Sequence, residues 1–300
     1  MKPTLDGQVR VGVIDIGTNS TRLLVADVAP TGRLAVVKTA LVTTRLGEEI
    51  TAGILTEAAM QRTARVVAGF RAEAEALGAC RVVVAGTSAV RDAANRAAFL
   101  RLIEEKCGLK VRVLAGEEEA SYGWQGVLAG LPADPVRTLV LDIGGGSTEF
   151  CWQEGGGLLS ASLPVGAVRL TLSGRDDAAL SAALAPVVTR LRGRSWDLVG
   201  VGGTITTLAA MAQRLERFDP SRVHGYLLSR REVEELLAAL LAATLEERRR
   251  MPGLQPERAD IIPAGARILR AVMQGLAAPA VRVSEFDLLH GIALAAAVGV

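Results

Sequence analysis

The chain has 300 residues, 34 of them basic and 32 acidic, for a formal net charge of +2. That length suits two domains, each with its own core. With half the residues apolar and 22% charged, a disordered or collagen-like chain is excluded, and the near-balanced charge argues against a general nucleic-acid binder.

The longest apolar runs, Leu237 to Leu245 and Ile292 to Val300, fall short of the roughly 18 residues a bilayer span needs, so no membrane is expected as a partner. The opening residues show no apolar signal core, which makes the cytoplasm the expected location. Cys80, Cys107 and Cys151 form no CxxC pair and read as small buried hydrophobes. Only His224 and His290 are present, so a histidine-built zinc site is not expected.

Apolar β-rich runs alternate with Ala- and Leu-rich amphipathic runs, which predicts an α/β protein. Val9 to Ile16 and Ser20 to Val28 read as strands around a tight turn at Gly17-Thr18-Asn19. A long helix is predicted over Thr56 to Leu77, then a strand over Cys80 to Ala85 and a helix over Ala89 to Glu105. A short strand, Lys110 to Leu114, and a helix, Glu117 to Leu128, lead to a boundary near Gly130-Leu131-Pro132.

The opening theme then returns. Val13-Ile14-Asp15-Ile16-Gly17-Thr18-Asn19-Ser20-Thr21 is matched by Val140-Leu141-Asp142-Ile143-Gly144-Gly145-Gly146-Ser147-Thr148, 127 positions on. A repeat at that distance means two similar domains rather than a solenoid. Further on, Leu198 to Thr204 reads as a glycine-ended strand with the helix Thr206 to Gln213 behind it, and the rest as mainly helical, including Glu232 to Arg250.

Glycine lets a backbone approach an anion and aim N–H groups at it. Two matched Asp-Ile-Gly-x-x-Ser turns on opposite walls of a cleft would grip one phosphate chain. The hydroxyls of Thr18, Ser20, Ser147 and Thr148 and the amide of Asn19 add donors. Asp15 and Asp142, at the strand ends, are candidates to hold Mg²⁺ against phosphate oxygens. Gly202-Gly203-Thr204 is a third candidate anion site, at a helix N-terminus. Arg22 and Arg91 are candidate phosphate contacts, the alternative for Arg91 being an ion pair with Asp92 or a neighbour. Glu117, Glu118 and Glu119 open one helix. One of them is a candidate general base, and spacing does not say which.

These segments resemble the exopolyphosphatase/guanosine pentaphosphate phosphatase family of the actin-like ATPase and sugar-kinase superfamily. The likeness runs through Asp15 to Leu24, Arg45-Leu46-Gly47-Glu48, Thr87 to Arg96, Gly116 to Ala120 and Asp142 to Glu149. It continues through Ser162 to Arg169, Val201 to Thr204, Val223-His224-Gly225 and Glu257 to Ile262. The resemblance implies an α/β fold of two duplicated actin-like (ribonuclease H-like) domains, with mixed β-sheets flanked by helices and an interdomain cleft. The domains would be 1–128 and 129–300, with the last helix a candidate to pack back on the first. The chain is similar to the short, two-domain type, and His290-Gly291 stands where many members carry a charged residue before glycine.

The resemblance also implies Glu119 as general base and Asp142 with Glu149 as the Mg²⁺ environment, Mn²⁺ being the alternative metal and K⁺ a candidate monovalent cation. Asn19, Ser20, Arg22, Arg91, Gly144, Gly145, Ser147 and Thr148 become phosphate contacts. The implied substrate is inorganic polyphosphate or guanosine pentaphosphate, and the implied assembly a homodimer. Two rivals are weighed against this: an ATP-dependent small-molecule kinase on the same scaffold, and a non-catalytic polyphosphate or alarmone sensor.

Overall fold

The computed structural model describes residues 7–298. Residues 1–6, part of the opening segment read for a signal, and the last two residues of the final apolar run lie outside the described residues. The chain divides into two compact units: one runs to Ala129 and resumes at Leu288, the other is Gly130–Asp287.

The first unit is a five-stranded mixed sheet. Its elements are β1 (Val9–Ile16), β2 (Thr21–Val28), β3 (Leu34–Val42), α1 (Glu57–Ala76), β4 (Arg81–Gly86), α2 (Ser88–Asp92), α3 (Arg96–Cys107), β5 (Val111–Val113) and α4 (Gly116–Gly130). The strand order is β3-β2-β1-β4-β5. β1, β2 and β3 form an antiparallel meander, and β4 and β5 add in parallel. α1 makes the crossover that two parallel neighbours require. It starts at the Thr56 side chain, which caps Ala59 N–H at 3.2 Å.

The second unit repeats this plan. It contains β6 (Thr138–Ile143), β7 (Thr148–Glu154), β8 (Gly157–Leu163), α5 (Ala167–Ser173), α6 (Asp177–Leu191), β9 (Asp197–Val201), α7 (Gly202–Ala212), α8 (Pro220–Val223), β10 (Leu227–Ser229), α9 (Arg230–Ala242), α10 (Leu245–Arg248), α11 (Ile262–Gly275) and β11 (Ala280–Val283). Its order, β10-β11-β9-β6-β7-β8, superposes β8-β7-β6-β9-β11 on β3-β2-β1-β4-β5, with β10 as an extra edge. The duplication read from two turns therefore extends to strand order and direction.

The last helix, α12 (Leu288–Ala297), belongs to the first unit, so the second unit stops at Asp287 rather than at the end of the chain. Leu288, Leu289, Ile292, Ala293 and Ala296 are buried in one cluster with Val11, Val13, Leu24 and Ala26. A Cβ at Gly291 would overlap the Tyr122 carbonyl oxygen, so glycine lets α12 close on α4 there. One cysteine differs from expectation. Cys107 and Cys151 are buried, but Cys80 is exposed at the mouth of β4. Among the described residues no helix is long and apolar enough to cross a membrane.

Candidate active site

In the first unit the parallel strands β1, β4 and β5 end side by side, Ile16 opposite Gly86 and Gly86 opposite Val113. Carboxyl ends of parallel strands are where α/β sheets place ligands. The β1–β2 turn closes with Gly17 N–H donating to the Ser20 carbonyl at 3.0 Å. Thr18, Asn19 and Ser20 are buried, with Asn19 Nδ2 3.3 Å from Ser20 Oγ. The Thr18 and Asn19 carbonyls accept from Gly47 and Arg45 N–H, both at 2.8 Å. Because a trans peptide sets C=O and the next N–H on opposite sides, the Asn19 and Ser20 N–H groups point away from the 45–47 segment.

The second unit builds the same device from different parts. Gly144 N–H donates to the Ser147 carbonyl at 3.0 Å. The Gly144 and Gly145 carbonyls accept from Ala167 (2.9 Å) and Val168 (2.8 Å) at the start of α5, and Arg169 Nε donates to the Gly146 carbonyl at 2.9 Å. By the same peptide geometry the N–H groups of Gly145, Gly146 and Ser147 turn away from α5 as three adjacent donors. A Cβ at Gly166 would lie 2.5 Å from the Gly145 carbonyl, so the approach of α5 depends on glycine. The Thr148 hydroxyl is committed to the Val165 carbonyl at 2.5 Å.

The two hairpins differ in charge. Asp15 faces Arg22 across β1–β2, and Arg22 Nε (3.0 Å) and Nη2 (2.8 Å) both donate to Asp15 Oδ2. The matching positions across β6–β7 are Asp142 and Glu149. The first hairpin thus has an acid opposite a base, and the second an acid opposite an acid, an arrangement unfavourable on its own. Glu149 is buried and accepts from Ser162 Oγ at 2.7 Å, while Gly202, at φ +85°, leaves the space a Cβ would take from Asp142 Oδ1. Among the described residues no three His, Cys, Asp or Glu side chains gather as a metal cage. Two carboxylates instead suit Mg²⁺, which completes its shell with water and phosphate oxygens. Asp15, neutralised within its own hairpin, suits a metal less well.

The structure separates the three glutamates that open α4. Glu117 is exposed. Glu118 Oε2 accepts from Ala115 N–H at 2.9 Å and its Oε1 from Arg112 at 2.6 Å, and these bonds hold its carboxyl below the usual range against the opposing effect of burial. Glu119 is buried and ion-paired with Arg91 Nη1, which also donates to the Leu114 carbonyl at 3.0 Å. Arg91 Nε lies 3.5 Å from Asp92.

At the third turn, Gly203 leads into α7 with the buried guanidinium of Arg258 beside it; a Cβ there would sit 2.6 Å from Arg258 Cζ. Thr204 is buried against Gly265 of α11, so its side chain packs helix on helix.

The sequence matches the Ppx/GppA phosphatase family over residues 24–297. The chain belongs to the Ppx/GppA phosphatase family. Exopolyphosphatase 2 of Mycobacterium tuberculosis is 32% identical, the alignment covering 96% of this chain and 98% of that one. A solved exopolyphosphatase from Cytophaga hutchinsonii matches with a TM-score of 0.85 at 28% identity, covering 97% of this chain and 98% of that one. The Ppx/GppA family member of Aquifex aeolicus matches with a TM-score of 0.80 at 29% identity, with the same coverage. The two mixed sheets flanked by helices are thus the actin-like two-domain fold of this family of phosphatases.

The sequence assigned no individual role to Gly166, Arg258 or residues 44–47, and Gly202, read as part of a candidate anion turn, instead makes room for Asp142. Gly166 was legible as a glycine closing the Pro164-Val165 run. Arg258 carried no local signal, because its place beside Gly203 depends on chain 55 residues away.

Proposed function

We propose that this phosphatase is an exopolyphosphatase. Water attacks the terminal phosphorus of inorganic polyphosphate in line, the terminal phosphoanhydride bond breaks, and orthophosphate leaves a chain one unit shorter. The observation that carries this reading is the buried Glu119, fixed by Arg91 at the ends of the parallel strands. A glutamate so held orients the attacking water and takes its proton. The N–H donors of the first hairpin turn bind phosphate oxygens, and Arg22 and Arg91 offset charge that spreads over the equatorial oxygens as the bond breaks. Asp142 and Glu149 would hold Mg²⁺, or Mn²⁺ in its place, which when bound supplies further neutralisation of phosphate charge.

The same chemistry takes guanosine pentaphosphate to the tetraphosphate, and we read that as a second substrate. A homodimer in the cytoplasm accompanies the reading, and sedimentation of the purified protein checks the assembly. The test of the reading is orthophosphate release with Mg²⁺, with and without K⁺, from short polyphosphate, long polyphosphate, guanosine pentaphosphate and ATP. Release from polyphosphate is expected; activity on ATP alone would overturn the reading in favour of a kinase-like ATPase.

A further inference from the structure

We infer that Arg62, on α1 and away from the strand ends, is a positioning residue for the first phosphate-binding turn, acting through residues 44–48. Its guanidinium gathers that segment: Nε donates to the Thr44 carbonyl at 2.6 Å, Nη2 to Glu48 Oε2 at 2.9 Å, and Nη2 lies 3.5 Å from the Arg45 carbonyl. Glu48 is held from the other side by Thr56 Oγ1 at 2.5 Å. The gathered segment contains a residue that would not hold its shape unaided. Arg45 adopts φ +49°, a left-handed conformation that costs a non-glycine residue about 1 kcal/mol.

In that conformation Arg45 N–H and Gly47 N–H reach the Asn19 and Thr18 carbonyls, both at 2.8 Å. Those two bonds set the peptide planes that aim the Asn19 and Ser20 N–H groups. The fit has no slack, since a Cβ at Gly47 would overlap Thr18 Cγ2. Arg62 therefore acts on the anion through two relays, the 44–48 segment and the turn carbonyls, without touching it. Loss of the relay should weaken phosphate binding more than turnover, because the glutamate stays in place.

This inference rests on the phosphatase reading, so wild-type orthophosphate release from polyphosphate with Mg²⁺ is measured first; a silent wild type refutes that reading, not this one. With an active wild type, Arg62→Ala should raise KM about tenfold with kcat within about threefold. Arg62→Lys should recover part of the loss, and Arg65→Ala, removing an exposed arginine from the same helix, should leave KM unchanged. Gly47→Ala should reproduce the KM increase, and Thr18→Ser, which removes the obstructing methyl but keeps the hydroxyl, should suppress it in the double variant. If Arg62→Ala does not fold, the Gly47→Ala and Thr18→Ser pair decides alone. A wild-type KM in folded Arg62→Ala, or Gly47→Ala unrelieved by Thr18→Ser, overturns the inference.

Discussion

Glu117, Glu118 and Glu119 occupy successive positions on one helical turn and meet three environments: solvent, a capping role, and a buried ion pair with the half-buried Arg91. Replacing the capping one, Glu118→Gln, should cost about 0.5 kcal/mol, the low end for a cap because the pair with Arg112 is half exposed, and leave turnover intact. Its carboxyl titrates below the usual range in the folded state. That stabilisation is therefore complete above the ordinary glutamate value and disappears as pH falls through the lowered one. Thermal melting of wild type and variant against pH checks the sign. The opposed carboxylates of the second hairpin make a different prediction. Asp142→Asn should raise the Mg²⁺ concentration for half-maximal activity at least about tenfold, and Gly202→Ala, by pressing on Asp142 Oδ1, should move it in the same direction. A Mg²⁺ titration of orthophosphate release reads both.

Among the elements, the β1–β2 hairpin carries its own ion pair at the end remote from the turn. Arg10 faces Asp27 across the strands, with Nε–Oδ1 at 2.7 Å and Nη2–Oδ2 at 2.8 Å, and the hydrogen bonds from Arg10 hold the Asp27 carboxyl below its usual value. Asp27→Asn should cost about 1 kcal/mol at neutral pH. The difference from wild type should close as pH falls through the lowered value of the folded carboxyl, since a protonated Asp27 no longer attracts Arg10.

The hairpins were legible because tight turns demand glycine and strands demand β-branched residues, both local requirements. The strand β3 was not, because its residues are mostly exposed on both faces and show no alternation. A continuous helix over 89–105 was expected, yet it breaks at Ala93–Asn95. There the Asn95 side chain pairs with both backbone groups of Leu55, at 2.9 and 2.8 Å, a contact across 40 residues that periodicity does not contain. A continuous helix over 232–250 was likewise expected, yet α9 ends at Ala242, and Thr244 and Glu247 form a capping box that starts α10, as Ser229 and Glu232 start α9.

For the whole molecule, α12 makes the first unit discontinuous in sequence. Five apolar side chains of α12 cover β1 and β2, a burial that stabilises by about 6 kcal/mol, comparable with the net stability of a domain. Ending the chain at Asp287 should therefore unfold the first unit, and protease digestion should spare a core from 130–287. His224 closes the second unit near both of its ends. Its Nδ1 accepts from Glu285 N–H at 3.2 Å, which leaves Nε2 protonated to donate to the Gly130 carbonyl at 3.1 Å. The ring lies 5.5 Å from that of Phe286.

The central claim, hydrolysis with Glu119 as base, is tested most directly by Glu119→Gln assayed for both turnover and polyphosphate binding. The account predicts a loss of orthophosphate release of about 10²–10⁴-fold with binding retained. Release near the wild-type rate in the folded variant would contradict it.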